Sequence, residues 1–216
     1  AVLVRTARHA LLYDAGPRYS LESDAGHRVL VPLLQALQVR LDTVVLSHRD
    51  MDHVGGASAV LTQQPQAAVI SSIEADNPLQ TQRAIQRCVA GQHWQWDGVA
   101  FDILHPQGAD YDTPAKSNAM SCVLRISNGA QTALLVGDIE QPQEARLMEQ
   151  GANLKATVLL VPHHGSKTSS SGVFLDAVGE PRKQSRASGG QAVVQDVFPG
   201  FVPESVGLIE SAGLIT

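Results

Sequence analysis

The chain has 216 residues, with 16 Lys and Arg against 21 Asp and Glu, which gives a formal net charge of −5 at pH 7. This length suits one domain or at most two small ones, and 44 % hydrophobic with 17 % charged residues excludes wholesale disorder, collagen and coiled coil. No apolar run approaches the ~20 residues of a membrane span, and the acidic balance argues against a protein that holds nucleic acid through a general basic surface.

Short apolar runs alternate with helical spacings from the first residues to about residue 178. Several of the runs are continuously apolar, as is typical of strands that helices cover on both faces. The pattern therefore predicts an α/β fold with helices on the outside. Strands are predicted at 2–4, 9–13, 43–47, 67–71, 99–105, 121–126, 132–136 and 156–161, and helices at 29–37, 57–61, 77–88 and 143–150.

The composition changes beyond about residue 178. Residues 180–191 are polar and rich in Gly and Ser, which predicts a loop or linker, and one weak strand candidate follows at 191–198. We therefore divide the chain into a domain over residues 1–178 and an uncertain tail over 179–216, and we expect the chain to be a segment of a longer protein.

Two cysteines, Cys88 and Cys122, are too few and too widely spaced for a zinc ribbon or a disulfide framework. They could form a pair or act as two small hydrophobic side chains. The sequence leaves both alternatives open.

The densest chemical signal directly follows the strand predicted at 43–47. Here His48, Asp50, Asp52 and His53 place four potential metal ligands within six residues, before a Gly-Gly step. A strand end followed by a glycine-containing loop is where α/β sheets form their sites. Imidazole and carboxylate together suit zinc, manganese or iron better than calcium, whereas the alternative is a solvated loop that happens to be rich in His and Asp.

Two further strand ends carry candidate ligands. Asp138 follows the strand at 132–136, although Gly-Asp after a strand is by itself a common turn. His163 and His164 follow the strand at 156–161. Together with the first cluster, these strand ends predict a site for two metal ions.

A short polar run comes directly after the His pair. Ser166, Lys167, Thr168 and Ser169 combine one positive charge with three hydroxyl groups, which suits sequence-independent contact with phosphate. The alternative is a solvated loop that ends in a helix N-cap.

The six-residue cluster resembles the metallo-β-lactamase-fold signature His-x-His-x-Asp-His, with Asp50 in place of the second His. The Gly137-Asp138 strand end and the run Pro-His-His-Gly-Ser-Lys-Thr-Ser at 162–169 narrow the resemblance. They resemble the C-terminal metallo-β-lactamase-like domain of ComEC-type bacterial competence proteins, the inner-membrane DNA-uptake channels. Asn118-x-x-Ser121 also matches that family.

The resemblance covers residues 1 to 178, and residues 179–216 depart from the family pattern. It implies the metallo-β-lactamase fold, a four-layer αββα sandwich. It also implies two divalent metal ions as cofactors: His48 and Asp50 would bind one, Asp52 and His53 the second, and Asp138 would bridge the two. The carboxylate of Asp50 in place of an imidazole favours manganese, with zinc as the alternative.

The resemblance also assigns ligand or substrate roles outside this first set. One of His163 and His164 would complete the second metal site, and His163 is preferred because it comes first after the strand; the other would contact a ligand or the substrate. Asn118 and Ser121 stand where many enzymes of this fold have another His ligand, so they are predicted to contact substrate, together with Ser166, Lys167, Thr168 and Ser169.

The function implied is metal-dependent deoxyribonuclease activity, in which two metal ions assist phosphodiester hydrolysis. Asp52, Asp138 and Lys167 are the predicted catalytic residues. The domain would degrade the non-transported strand during natural transformation. Its partners would be DNA, single strand or duplex, and the membrane channel portion of the same protein. It would lie on the periplasmic or outer side of the inner membrane, with no direct insertion of this segment.

Two alternatives are a small-molecule hydrolase of the same fold, such as a phosphorylcholine esterase or lactonase, and a non-catalytic domain that binds metal or DNA.

Two features outside the signature motifs are interpreted structurally. Asp14, which precedes Gly16, is interpreted as a turn former or a carboxylate that supports a ligand. Trp94 and Trp96 could stack on bases but are more often packing residues.

Overall fold

A computed structural model describes residues 1–179 and, beyond them, the backbone of three short strands, Arg182–Gln184, Val194–Gln195 and Leu208–Glu210. The chain divides into two compact units: unit 1 comprises Ala1–Arg87 with Ser188–Thr216, and unit 2 comprises Cys88–Ala187. Each contains one large sheet. The domain boundary after residue 178 stays a prediction, and apart from the three strands the predicted tail lies outside the described residues.

Unit 1 is built on a seven-stranded sheet whose central strands are almost entirely buried. The strand order is β14-β15-β1-β2-β5-β6-β7, with β2, β5, β6 and β7 parallel and β1 antiparallel to β2. The strands predicted at 2–4, 9–13, 43–47 and 67–71 are confirmed. The seven strands of this sheet are β1 Val2–Arg5, β2 Ala10–Tyr13, β5 Thr43–Leu46, β6 Ala68–Ser71, β7 Ile85–Arg87, β14 Val194–Gln195 and β15 Leu208–Glu210.

Helices of unit 1 bury an apolar face against this sheet, where Leu34, Val60 and Val44 belong to one hydrophobic cluster. A single π-helical turn, Gly26–Leu30, leads directly into α1, Val31–Ala36, with Pro32 in the first turn, where proline is tolerated. The remaining helices are α2 Met51–Val54, α3 Ala57–Gln63 and α4 Leu79–Gln82.

Unit 2 is built on a six-stranded sheet of order β13-β12-β11-β10-β9-β8. Leu147, Phe174 and Leu159 belong to its hydrophobic cluster. The strands are β8 His93–Trp96, β9 Val99–His105, β10 Val123–Ser127, β11 Thr132–Leu135, β12 Val158–Leu160 and β13 Arg182–Gln184, and the helices are α5 Gln141–Glu149 and α6 Gly172–Val178.

One local prediction is wrong, and two further elements were not predicted. The helix predicted at 77–88 is a single turn, α4, after which Ile85 to Arg87 pair in parallel with β6 at the edge of the sheet. The sequence analysis also did not anticipate a two-strand hairpin, β3 Arg18–Ser20 with β4 Ser23–Asp24, or helix α6. These elements are short, so each offers only a few residues to a periodicity that needs about 11 or more.

The tryptophans of β8 pack within unit 2. The Trp94 ring stacks on the Phe101 ring of β9, with centroids 5.2 Å apart and an interplanar angle of 5°, and the Trp96 ring lies 5.0 Å from Phe101. The structural interpretation of this pair is therefore the correct one.

A disulfide and a buried histidine hold the segment that leads into β10. Cys88 and Cys122 form a disulfide, with their Cα atoms 6.2 Å apart, which lies within the usual range for such a bond. His105 donates a hydrogen bond from Nε2 to the Ala119 carbonyl at 2.8 Å. Burial lowers the pKa of His105, so the ring is neutral at pH 7.

We predict that loss of this disulfide lowers the thermal stability of the protein. The bond closes a loop with a sequence separation of 34, for which chain entropy gives roughly 3–4 kcal/mol, or a Tm decrease on the order of 10 °C. Cys88→Ala/Cys122→Ala should therefore unfold at lower temperature in calorimetry. Reductant should lower the Tm of the wild type only, and two titratable thiols in unreduced, denatured wild type would contradict the prediction.

Candidate functional site

The first candidate ligand group lies in unit 1, directly after β5. Asp50 caps α2 in an extended conformation, and its carbonyl accepts hydrogen bonds from the N–H groups of His53 at 2.9 Å and Val54 at 3.0 Å. This tight turn reverses the chain after His48. It brings the rings of His48 and His53 to a centroid distance of 4.2 Å.

Each of these two imidazoles faces a carboxylate. His48 Nε2 lies 3.5 Å from Asp50 Oδ2, and His53 Nε2 lies 3.4 Å from Asp52 Oδ2. Ligands about 2.0–2.1 Å from a tetrahedral metal ion are roughly 3.3 Å from one another. Both imidazole–carboxylate pairs therefore have the spacing of neighbouring ligands on one ion.

Asp14, at the end of β2, fixes the orientation of His53. The Asp14 carboxylate is buried; it accepts a hydrogen bond from the Ser47 N–H at 2.7 Å, and its Oδ2 lies 2.7 Å from His53 Nδ1. Because a carboxylate only accepts, His53 donates from Nδ1. The lone pair of the neutral ring is then on Nε2, which is the tautomer that a metal ligand at Nε2 requires.

Burial alone would raise the pKa of the Asp14 carboxyl, because desolvation disfavours its charge. The attraction and hydrogen bond of His53, with the Ser47 N–H, outweigh this effect and hold the pKa of Asp14 below its ordinary value. The side chain is therefore an anion at pH 7. Asp14 also has a left-handed φ of 60°, which fits its interpretation as a turn former, while its role as a carboxylate that supports a ligand stays a prediction.

Ser47 connects the two histidines of unit 1. Its hydroxyl lies 3.1 Å from Asp14 Oδ2, 2.9 Å from His48 Nδ1 and 3.1 Å from His53 Nδ1. A hydroxyl that donates to Asp14 accepts from His48 Nδ1, which leaves Nε2 of His48 as the acceptor atom on the side of Asp50.

Gly55 and Gly56 allow the backbone at the two ends of the β3–β4 hairpin to lie directly against the end of α2. A Cβ atom at Gly55 would lie 2.2 Å from the Arg18 nitrogen, and one at Gly56 would lie 2.3 Å from the Gly26 nitrogen. Ala15 donates a backbone hydrogen bond to the His53 carbonyl at 2.7 Å. The predicted Gly-Gly step thus serves close packing of two backbones.

The second candidate ligand group lies in unit 2, after β11 and β12. The buried Asp138 donates its backbone N–H to Ser121 Oγ at 3.0 Å, and its Oδ2 lies 3.3 Å from His164 Nε2. This is a third imidazole–carboxylate pair with the spacing of the two pairs in unit 1.

The adjacent histidines diverge because both have left-handed backbones, with φ 45° at His163 and φ 53° at His164. Their ring centroids are 6.3 Å apart. His163 Nδ1 lies 3.3 Å from Glu140 Oε1, and its Nε2 lies 3.3 Å from the Asn118 side-chain nitrogen. The geometry therefore favours His164 as the ligand, the reverse of the preference that chain order gave.

Two predicted substrate contacts are used inside the protein. Ser121 is fully buried against Asp138, and Ser169 is 6 % exposed, with its hydroxyl donating to the Pro162 carbonyl at 2.9 Å. Their burial does not fit direct contact with a substrate. Both residues instead position the segments that carry Asp138 and the histidine pair.

The other residues of the polar run lie at the surface. Lys167 and Thr168 are exposed, and Thr168 donates to Glu140 Oε1 at 2.8 Å. Ser166 Oγ lies 3.0 Å from Thr168 Oγ1. Glu140 was not anticipated from the sequence, although its position two residues after Asp138 could have marked it as a partner for the histidine pair.

The donor chemistry of both units fits divalent metal ions. Unit 1 offers Asp52 and His53, and unit 2 offers Asp138 and His164, as residues that could hold an ion. The imidazoles of His48, His53 and His164 each present Nε2 beside a carboxylate oxygen. This mixed nitrogen and oxygen set is the one preferred by zinc, manganese or iron.

No helix in residues 1–179 is long and apolar enough to cross a membrane.

The chain is 42 % identical over 181 residues to "Competence protein ComA" of Neisseria gonorrhoeae, across 82 % of this chain and 24 % of that protein. It is 32 % identical over 189 residues to "ComE operon protein 3" of Bacillus subtilis, across 78 % of this chain and 24 % of that protein. The chain therefore spans about a quarter of the length of these relatives.

Among solved structures, the chain is similar to the metallo-β-lactamase MIM-1 from Novosphingobium pentaromativorans, with 15 % identity, a TM-score of 0.48, and coverage of 82 % of this chain and 80 % of that chain. The family model of the Metallo-beta-lactamase superfamily matches residues 1–183. The predicted fold class and the resemblance to ComEC-type competence proteins are thus confirmed: the chain belongs to the metallo-β-lactamase superfamily.

Proposed function

We propose that this chain is a metal-dependent deoxyribonuclease domain of a competence-type DNA-uptake protein. Members of its superfamily are generally metal-dependent hydrolases, and two of its relatives are named "Competence protein ComA" and "ComE operon protein 3". The observation that carries the proposal is the recurrence of one motif, an imidazole Nε2 3.3–3.5 Å from a carboxylate oxygen, at His48, His53 and His164. DNA that enters a cell by such a route would be its substrate, with the non-transported strand degraded during natural transformation.

In this proposal, His48 and Asp50 bind one ion. The ligands of the second ion are Asp52, His53 and His164, and Asp138 would bind both ions. We propose manganese for the oxygen-richer first set and zinc as the alternative. When bound, such ions supply activated water and neutralise charge on a phosphate. They would also offset four of the negative charges in a chain of net charge −5.

The remaining roles fall to residues of the chain itself. The carboxylate of Asp52 is 42 % exposed, so it can accept a proton from an incoming water while His53 stays fixed by Asp14. The exposed ammonium of Lys167 can contact a phosphate oxygen, with Thr168 beside it. Such contacts are independent of base sequence.

We further propose that this domain belongs to an inner-membrane channel protein and works on its periplasmic or outer side. The Cys88–Cys122 disulfide supports this location, because disulfides persist in oxidising compartments and are rare in the cytosol.

Cleavage of DNA should depend on metal and on Asp52. Purified protein should degrade linear single-stranded or duplex DNA with manganese or zinc and lose this activity in chelator. Asp52→Ala should lower the rate by at least about 100-fold, because both a ligand and a proton acceptor are lost, while circular dichroism stays unchanged. Equal activity in this variant would identify a contaminating nuclease, and hydrolysis of small esters alone would favour the small-molecule hydrolase.

The histidine pair offers a matched comparison of neighbouring residues. His164→Ala should remove a metal ligand and reduce both bound metal and cleavage by about 10- to 100-fold or more. His163→Ala removes contacts with Glu140 and Asn118 and should retain nearly stoichiometric metal. Metal analysis by mass spectrometry separates the two variants, and the opposite ranking would assign the ligand role to His163.

Asp14→Asn should weaken metal binding without unfolding the protein. Asparagine tolerates the left-handed φ of 60° at this position, so the variant mainly removes the charge beside His53. Removal of such a carboxylate partner typically costs 10- to 100-fold in metal affinity. Titration with manganese or zinc measures the change, and unaltered affinity together with an unaltered Tm would show that Asp14 is a turn former only.

A further inference from the structure

The β3–β4 hairpin presents apolar side chains to solvent next to the ligand loop. Tyr19 is 52 % exposed and Leu21 is 87 % exposed, and Met51, between Asp50 and Asp52, is 52 % exposed. These are three of the five exposed large hydrophobic side chains in residues 1–179, and all three line one surface depression of about 330 Å³. Clustering of this kind marks an interaction surface, whereas single exposed hydrophobic residues are common on protein surfaces. We call these three side chains the hairpin platform.

The hairpin that carries Tyr19 and Leu21 is held by the side chain of Arg18 and by close packing against α2. Arg18 donates from Nε to the Ser20 carbonyl at 2.9 Å and from Nη2 to the Leu21 carbonyl at 2.8 Å, which ties the tip of the hairpin to its first strand. The close approach of Gly55 to Arg18 joins the root of the hairpin to α2. The root of the hairpin therefore lies directly against the helix that follows Asp50 and carries Asp52.

The chemistry of the hairpin platform matches a nucleobase better than an aliphatic ligand. The Arg28 guanidinium lies 5.5 Å from the centroid of the Tyr19 ring, as in a cation–π contact. Surfaces that combine an aromatic ring with arginine stack bases without sequence preference. The guanidinium groups of Arg18 and Arg28 add positive charge beside the hairpin platform, which favours contact with phosphate groups.

We propose that the hairpin platform stacks an unpaired base of a single-stranded nucleic acid whose adjacent phosphodiester lies at the Asp50–Asp52 loop. In a duplex, neighbouring base pairs cover both faces of every base, so the surface selects single strands or frayed ends. This inference deepens the proposed nuclease function and rests on it. Tyr19 is a positioning residue in this proposal, because it contacts substrate away from the reacting phosphate.

The test compares oligonucleotides with and without bases. Wild type, Tyr19→Ala, Tyr19→Phe and, as a control for an exposed hydrophobic residue, Val173→Ala are assayed with manganese on single-stranded oligothymidylate and on an abasic oligonucleotide of equal length. Tyr19→Ala should raise KM for oligothymidylate about 5- to 10-fold, the low end of the effect of one stacked base, with a smaller change in kcat. Tyr19→Phe and Val173→Ala should keep the wild-type KM, and on the abasic strand the KM ratio of Tyr19→Ala to wild type should fall to near one.

The outcomes separate this inference from the proposed function. If wild type cleaves DNA but Tyr19→Ala keeps the wild-type KM, or raises it equally on the abasic strand, the hairpin platform does not stack bases, and the nuclease proposal stands. If wild type cleaves no DNA with any metal, the nuclease proposal fails. Fluorescence anisotropy of labelled oligothymidylate then decides the inference: weaker binding by Tyr19→Ala supports a base-binding surface, and equal binding overturns it.

Discussion

The arrangement of unit 1 depends on one buried anion. The Asp14 carboxylate can remain ionised away from water only because its oxygens accept hydrogen bonds, and the chain provides them from Ser47 and His53. These bonds join the ends of β2 and β5 to helix α2, so the same interaction that solvates Asp14 also sets the tautomer of His53. The same contacts therefore orient the candidate ligand His53 and join the carboxyl ends of β2 and β5. Because Asp14 is anionic, it also makes the His53 ring a more basic ligand than an isolated imidazole.

In unit 2, the candidate ligand Asp138 is positioned through a contact to its backbone. The backbone N–H of Asp138 donates a hydrogen bond to a neighbouring hydroxyl, that of Ser121. Ser121 precedes Cys122, so the disulfide and the His105–Ala119 hydrogen bond restrain the segment from which that hydroxyl projects. In unit 1, by contrast, backbone lies on backbone at Gly55 and Gly56, without side chains between. Each ligand group is thus supported by contacts within its own unit.

The elements that the sequence predicted best are the buried strands, because a short, continuously apolar run such as residues 43–47 suits a strand that is covered on both faces. The candidate ligands in the cluster from His48 to His53 were also visible in the sequence, since they are local and chemically unusual. Contacts between side chains far apart in the sequence could not be predicted. Ser47 is 33 residues from Asp14, and Glu140 is 23 residues from His163, and no sequence periodicity indicates either contact. The choice between His163 and His164 depended on backbone dihedral angles, which residue types alone do not specify. Ser121 was noticed for its position in a motif, but its burial, and hence its role, came only from the fold.

The turn at Pro162–Gly165 places two histidines in a backbone conformation that is unfavourable for residues other than glycine. Two successive non-glycine residues hold left-handed φ angles there, each at a cost of roughly 1–3 kcal/mol. Glycine would relieve that cost at either position, but it would remove an imidazole each time. Variants selected only for heat resistance should therefore accumulate glycine at this turn and lose the divergent pair of rings. Selection for stability would favour glycine at these two positions, whereas selection for activity would favour histidine.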